Sequence, residues 1–146
     1  MSESIPDQVR YDLPPEQRER IAQQIADLLM EREAVVFAYL HGSFAEGLAF
    51  RDIDIAVYLQ DANMPQDKLL QWCFRLADEI EARVGLPVDV QALNDAPLGF
   101  KHSVTNGRVL FSRDEKFRYQ FVERVWIEYM DFEYLARQML KEVFET

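Results

Sequence analysis

Two aspartates separated by one isoleucine, Asp52-Ile53-Asp54, follow a Gly42-Ser43 pair at short range, and a third aspartate, Asp89, stands between two valines further along. In Asp52-Ile53-Asp54-Ile55-Ala56-Val57 the period is two, so the aspartates share one face of a strand and Ile53, Ile55 and Val57 share the other. Strands are poor in aspartate, and two carboxylates about 7 Å apart along a pleated strand repel each other unless a cation offsets them. Val88-Asp89-Val90 repeats the arrangement. If the two strands are neighbours, three carboxylates converge on one edge of a sheet. That is an oxygen donor set suited to Mg²⁺, which completes its shell with waters and substrate phosphates. Two such ions polarise an α-phosphate, activate an attacking hydroxyl and stabilise leaving pyrophosphate. Gly42 lets backbone approach a phosphate closely, and Ser43 at a helix start offers a hydroxyl and an amide. Asp89 is suited either to accept the attacking hydroxyl's proton or to hold the metal, and the pattern leaves both roles open. The competing reading is a solvated strand face with a turn glycine and an N-cap serine.

The elements that must position these residues follow from periodicity. Pro14-Pro15 opens a helix from about Glu16 to Arg32, with Ile21, Ile25, Leu28 and Leu29 at helical spacing. Val35 to Leu40 reads as a buried strand stopped by Gly42, and Ser43 as the cap of a short helical turn over Phe44 to Leu48. A second strand is expected over Ile53 to Gln60. Leu69, Cys73, Leu76, Ile80 and Val84 form the stripe of a helix ended by Gly85. Pro87 to Leu93 is a third strand, Asn94 to Asn106 a loop or short helix, and Arg108 to Phe111 a fourth strand. A long final helix runs from Asp114 to about position 143, and its aromatics outnumber what one stripe can bury. Most of them are assigned to core packing, with a protein interface as the second use.

A chain of 146 residues fits one domain, here 1–146 with an extended polar lead over 1–14. With 16 Lys plus Arg against 26 Asp plus Glu, the net charge of −10 argues against a nucleic-acid partner. The longest apolar run is too short to cross a bilayer, and the N-terminus lacks the basic start and apolar core of a signal peptide. Cys73 is the only cysteine, set among apolar neighbours, so it reads as structural. Together these features place the protein in the cytoplasm. Arg51 is read as a surface ion-pair partner, and Lys101, His102 and Arg108 are left outside the site.

At these residues the chain resembles the minimal nucleotidyltransferases of the DNA polymerase β superfamily. Gly42 and Ser43 match that family's Gly-Ser turn, Asp52 and Asp54 its Asp-x-Asp strand, and Asp89 its third carboxylate. Over about Val35 to Tyr134, including Gly107 to Asp114 and Tyr129 to Phe132, it is similar to the antitoxin branch whose partners are HEPN-domain toxins. The resemblance implies an α+β fold: a small mixed sheet of about four strands packed on helices, with a long C-terminal helix. It also implies an ATP- and Mg²⁺-dependent protein adenylyltransferase that places AMP on a tyrosine of a HEPN toxin. The implied catalytic and metal residues are Asp52, Asp54 and Asp89, and the nucleotide-binding residues are Gly42 and Ser43. There are two departures. Only eight residues, Phe44 to Arg51, separate Ser43 from Asp52, fewer than the family usually has, and Glu46 sits where many members carry arginine. These departures motivate one alternative, neutralisation of the partner by binding alone; a separate one is transfer to a small molecule such as an aminoglycoside, whose relatives normally carry an extra helical domain.

Overall fold

The run Val35 to Leu40 is apolar almost throughout because the strand it forms is covered on both faces. In the computed structural model, which describes residues 9–61 and 63–145, this strand is β1 (Val35–His41). It pairs antiparallel with β2 (Ile53–Leu59) on one side and with β4 (Arg108–Ser112) on the other. Parallel to β2 at the far edge lies β3 (Val88–Ala92), so the mixed sheet has the order β3-β2-β1-β4. A parallel neighbour needs a long crossover, which is supplied by α3 (Gln66–Val84). Gly85 ends this helix in the left-handed conformation.

Two apolar clusters flank the sheet. On one face Ile53, Ile55, Val57, Val88 and Val90 pack with Ala38 and Leu40 against α3 and α1 (Pro15–Met30). On the other, Phe37, Tyr39 and Ala56 pack with Val104 of α4 (Leu98–Thr105). Phe117 and Phe121 of α5 (Glu115–Glu145) pack against that second cluster. The segment left open between loop and helix is therefore mainly helical. No helix among the described residues is long and apolar enough to cross a membrane.

Three details differ from the sequence expectations. β2 starts at Ile53 as expected, but Asp52 then stands in the bend just before it and not on the strand face with Asp54. The short helix α2 starts at Gly42 rather than Phe44 and ends at Ala45. The polar lead falls largely on residues 1–8, outside the described residues, but Tyr11 forms an antiparallel bridge with Phe50.

Buried polar side chains fasten the ends of elements. Arg118 donates from Nη1 to the Tyr39 hydroxyl at 2.7 Å and pairs with Glu115, tying the start of α5 to β1. Asn94 is buried beyond β3, where it accepts from the Leu59 amide and donates to the Leu59 carbonyl, both at 2.9 Å. Replacing Asn94 with Ala leaves both buried groups of Leu59 without that partner. Urea denaturation should therefore register a loss of about 1–3 kcal/mol, and Asn94→Asp, which lacks the donor, should also destabilise.

Candidate active site

β1 stays extended as far as His41, and the chain then turns at Gly42, whose φ of 78° lies in the left-handed region. Glycine adopts this conformation without penalty. It is needed for a second reason: a Cβ at Gly42 would overlap Oδ2 of Asp54. The Asp54 carboxylate thus lies directly against the backbone of the turn. Because the chain turns at Gly42 itself, the position before the helix belongs to His41, and no side chain caps α2. Ser43 therefore sits inside the first turn instead of capping it, which corrects the sequence expectation.

Strand register builds the rest of the site. His41 of β1 is opposite Asp54 of β2, and Asp54 is opposite Asp89 of β3. The three form a row across adjacent strands, with Asp52 immediately before β2. Burial, first, and then the charges of Asp52 and Asp89 push the Asp54 carboxyl up to about 7, helped by a hydrogen bond with Asp52. Such a group holds a proton near neutrality unless a cation compensates the cluster. An all-carboxylate donor set packed against a glycine backbone therefore fits a hard divalent ion. Among the described residues, no three His, Cys, Asp or Glu side chains already form a metal cage.

Sequence reasoning gave no role to His41 or Arg18. The Nε2 atom of His41 is buried without a hydrogen-bond partner, and its ring meets Phe100 edge-on at 5.6 Å. Burial lowers the His41 pKa, while the Asp89 charge opposes that shift. The available signal was position: His41 continues the alternation of Phe37 and Tyr39 and precedes Gly42. Arg18 is buried under α2, where Nη1 donates to the Phe44 carbonyl at 3.0 Å and Nε to the Leu13 carbonyl at 2.7 Å. It fixes the turn from behind, and nothing local in α1 distinguishes it from a surface arginine.

A cleft of about 560 Å³ opens beside the turn, lined by His41, Gly42, Glu46, Ser103, Gly107 and Arg108 among others. Arg108 lines it but is held by Glu19 through two hydrogen bonds of 2.7 Å. His102 stacks on Tyr129 at 3.6 Å, and Lys101 lines a separate pocket with Asp95 and Glu128, so neither joins the row. Arg51 is exposed and makes no ion pair among the described residues, contrary to the role expected for it. Cys73 lies in the core, and burial raises its thiol pKa to about 11, with the Asp89 charge adding to the shift, in keeping with a structural role.

The family profile "Polymerase beta, Nucleotidyltransferase" matches residues 23–116, a span that contains Gly42, Ser43 and all three aspartates. The chain belongs to this nucleotidyltransferase family. No curated protein sequence matches it. Among solved structures, it is similar to a chain of tri-AMPylated Shewanella oneidensis HEPN toxin in complex with MNT antitoxin. That match has 20% identity and a TM-score of 0.64, covering 86% of this chain and 98% of that one. A chain of a toxin–antitoxin structure with AMP-PNP matches at 20% identity and a TM-score of 0.62, covering 90% and 98%. A chain of the MntA–HepT toxin–antitoxin complex gives 18% and 0.59, covering 89% and 98%. At these identities the likeness is one of fold.

The raised Asp54 pKa makes the metal-free nucleotidyltransferase sensitive to pH. With a folded value of about 7 against an ordinary value of 3.8, the stabilisation from a protonated Asp54 is fully present below pH 3.8 and is lost as pH rises through 7. In urea titrations with chelator, Asp54→Asn should be more stable than wild type at alkaline pH, and the advantage should disappear on acidification.

Proposed function

We propose that this nucleotidyltransferase transfers AMP from ATP to a tyrosine of a HEPN-domain protein. The observation that carries the reading is the row His41, Asp54 and Asp89 against the Gly42 turn, with Asp54 half-buried beside two other carboxylates. In this reading Asp52, Asp54 and Asp89 hold Mg²⁺, as a pair of ions, which when bound neutralises charge developing on the α-phosphate and the departing pyrophosphate. The Gly42 backbone and the Ser43 hydroxyl hold the outer phosphates. Arg51, exposed beside Asp52, adds a positive phosphate ligand. Asp89, on the edge strand of the sheet, receives the proton of the attacking hydroxyl. The acceptor oxygen bonds to the α-phosphorus as the bond to pyrophosphate breaks.

The protein acceptor is supported by the neighbours in fold, which include a complex with a tri-AMPylated HEPN toxin and a toxin–antitoxin structure with AMP-PNP. One observation favours a weaker enzyme that neutralises its partner mainly by binding: Glu46 lines the cleft beside Gly42, where its charge opposes incoming phosphates.

Incubating the chain with ATP, Mg²⁺ and a HEPN-domain protein should add AMP-sized increments to that protein by intact mass. Asp52→Asn with Asp54→Asn should abolish them, as should chelation. If wild type adds nothing, the proposal fails, and full protection of cells by the double variant would support the binding reading. Glu46→Arg should lower the KM for ATP several-fold, the change expected from roughly 1 kcal/mol of improved phosphate attraction.

A further inference from the structure

α5 has two halves with the same pattern and opposite fates. Arg118, Val122, Val125 and Tyr129 recur at alternating spacings of four and three, the seam of a helix packed on another surface. Arg118 and Val125 are buried, Val122 packs on the second core cluster, and Tyr129 stacks on His102. The spacing continues without a break through Phe132, Ala136 and Met139, with Leu135 and Leu140 beside the seam. Among the described residues this continuation stays largely uncovered: Phe132 is 61% exposed, Leu135 60%, Met139 67% and Leu140 58%. A patch of this kind on a folded protein marks an interaction surface.

The charges around the seam select the occupant. Glu128, Glu133 and Glu142 occupy the positions that border it, while Arg137 and Lys141 lie away from it on the helix wheel. A second copy of α5 would bring these glutamates together, and an anionic membrane would repel them. A helical groove with a basic rim satisfies both the apolar seam and the acidic border. We propose that the distal half of α5, from about Glu128 to Glu142, is the docking face for a helical protein with such a rim, and that this protein is the acceptor. The inference rests on the protein-acceptor reading above and adds the surface that reading lacks. Ala136 at the middle of the seam leaves room for a partner helix to approach closely.

The test uses the full chain and the HEPN-domain protein of the transfer assay. By calorimetry, Phe132→Glu with Met139→Glu should weaken the complex by at least about tenfold, and Glu133→Lys with Glu142→Lys should weaken it in a salt-dependent way. Both variants should bind AMP-PNP as wild type does, showing that fold and site are intact. The proposal is overturned if both variants bind the HEPN protein normally, or if wild type forms no complex. It is equally overturned if light scattering finds a homodimer of the chain alone that Phe132→Glu with Met139→Glu dissolves. A complex that depends on α5 but never yields AMP transfer would leave this surface standing and remove the proposed activity.

Discussion

The structure depends on one unfavourable placement: the Asp54 carboxylate, half-buried against the Gly42 backbone with Asp52 and Asp89 beside it. Burial and like charge both oppose its ionisation, so its position has to be imposed by the surrounding fold. Ile53 and Ile55, either side of it, are fully buried, and their packing adds to the pairing with β1 and β3 that holds β2 in place. The same alternation that drives the isoleucines into the core sends Asp54 to the opposite face. One strand thus provides both the anchoring hydrophobic surface and the central carboxylate of the row.

Around that strand, polar side chains act mainly as fasteners between elements distant in sequence. Arg18 holds the α2 turn from beneath, Arg118 joins α5 to β1, and Asn94 ties the segment after β3 to the end of β2. Each satisfies backbone or hydroxyl groups that would otherwise be buried unpaired, at a net gain near 1 kcal/mol per bond but a larger loss when one partner is removed. The precision of the row across His41, Asp54 and Asp89 follows from these restraints together with the pairing register. A site that must hold mutually repelling groups is most exposed to loosening of its supports.

α5 extends the same logic beyond the body of the protein. Its first half completes the core over Phe37 and Tyr58, whereas its second half carries apolar side chains left exposed among the described residues. Of the aromatics along this helix, Phe117, Phe121, Trp126 and Tyr129 pack on the body, whereas Tyr119, Phe132, Tyr134 and Phe144 are exposed.

Much was already legible in the linear chain, because the signals were local. Period two around Asp54 and Asp89, the Gly-Ser pair, the helical stripe ended by Gly85 and the twice-covered run of β1 each reflect steric and burial rules acting within a few residues. These set the order of elements and nominated Asp52, Asp54, Asp89, Gly42 and Ser43. Tertiary structure decided what depends on register and contact: that Asp54 is level with both His41 and Asp89, that Gly42 must lack a Cβ, and that Arg18 supports the turn. It also decided that Ser43 does not cap α2 and that Arg51 is free of an ion pair. The physical reason is the same in each case. Register, close approach and charge pairing join residues separated by tens of positions, and periodicity carries no record of which strands become neighbours or which side chains meet.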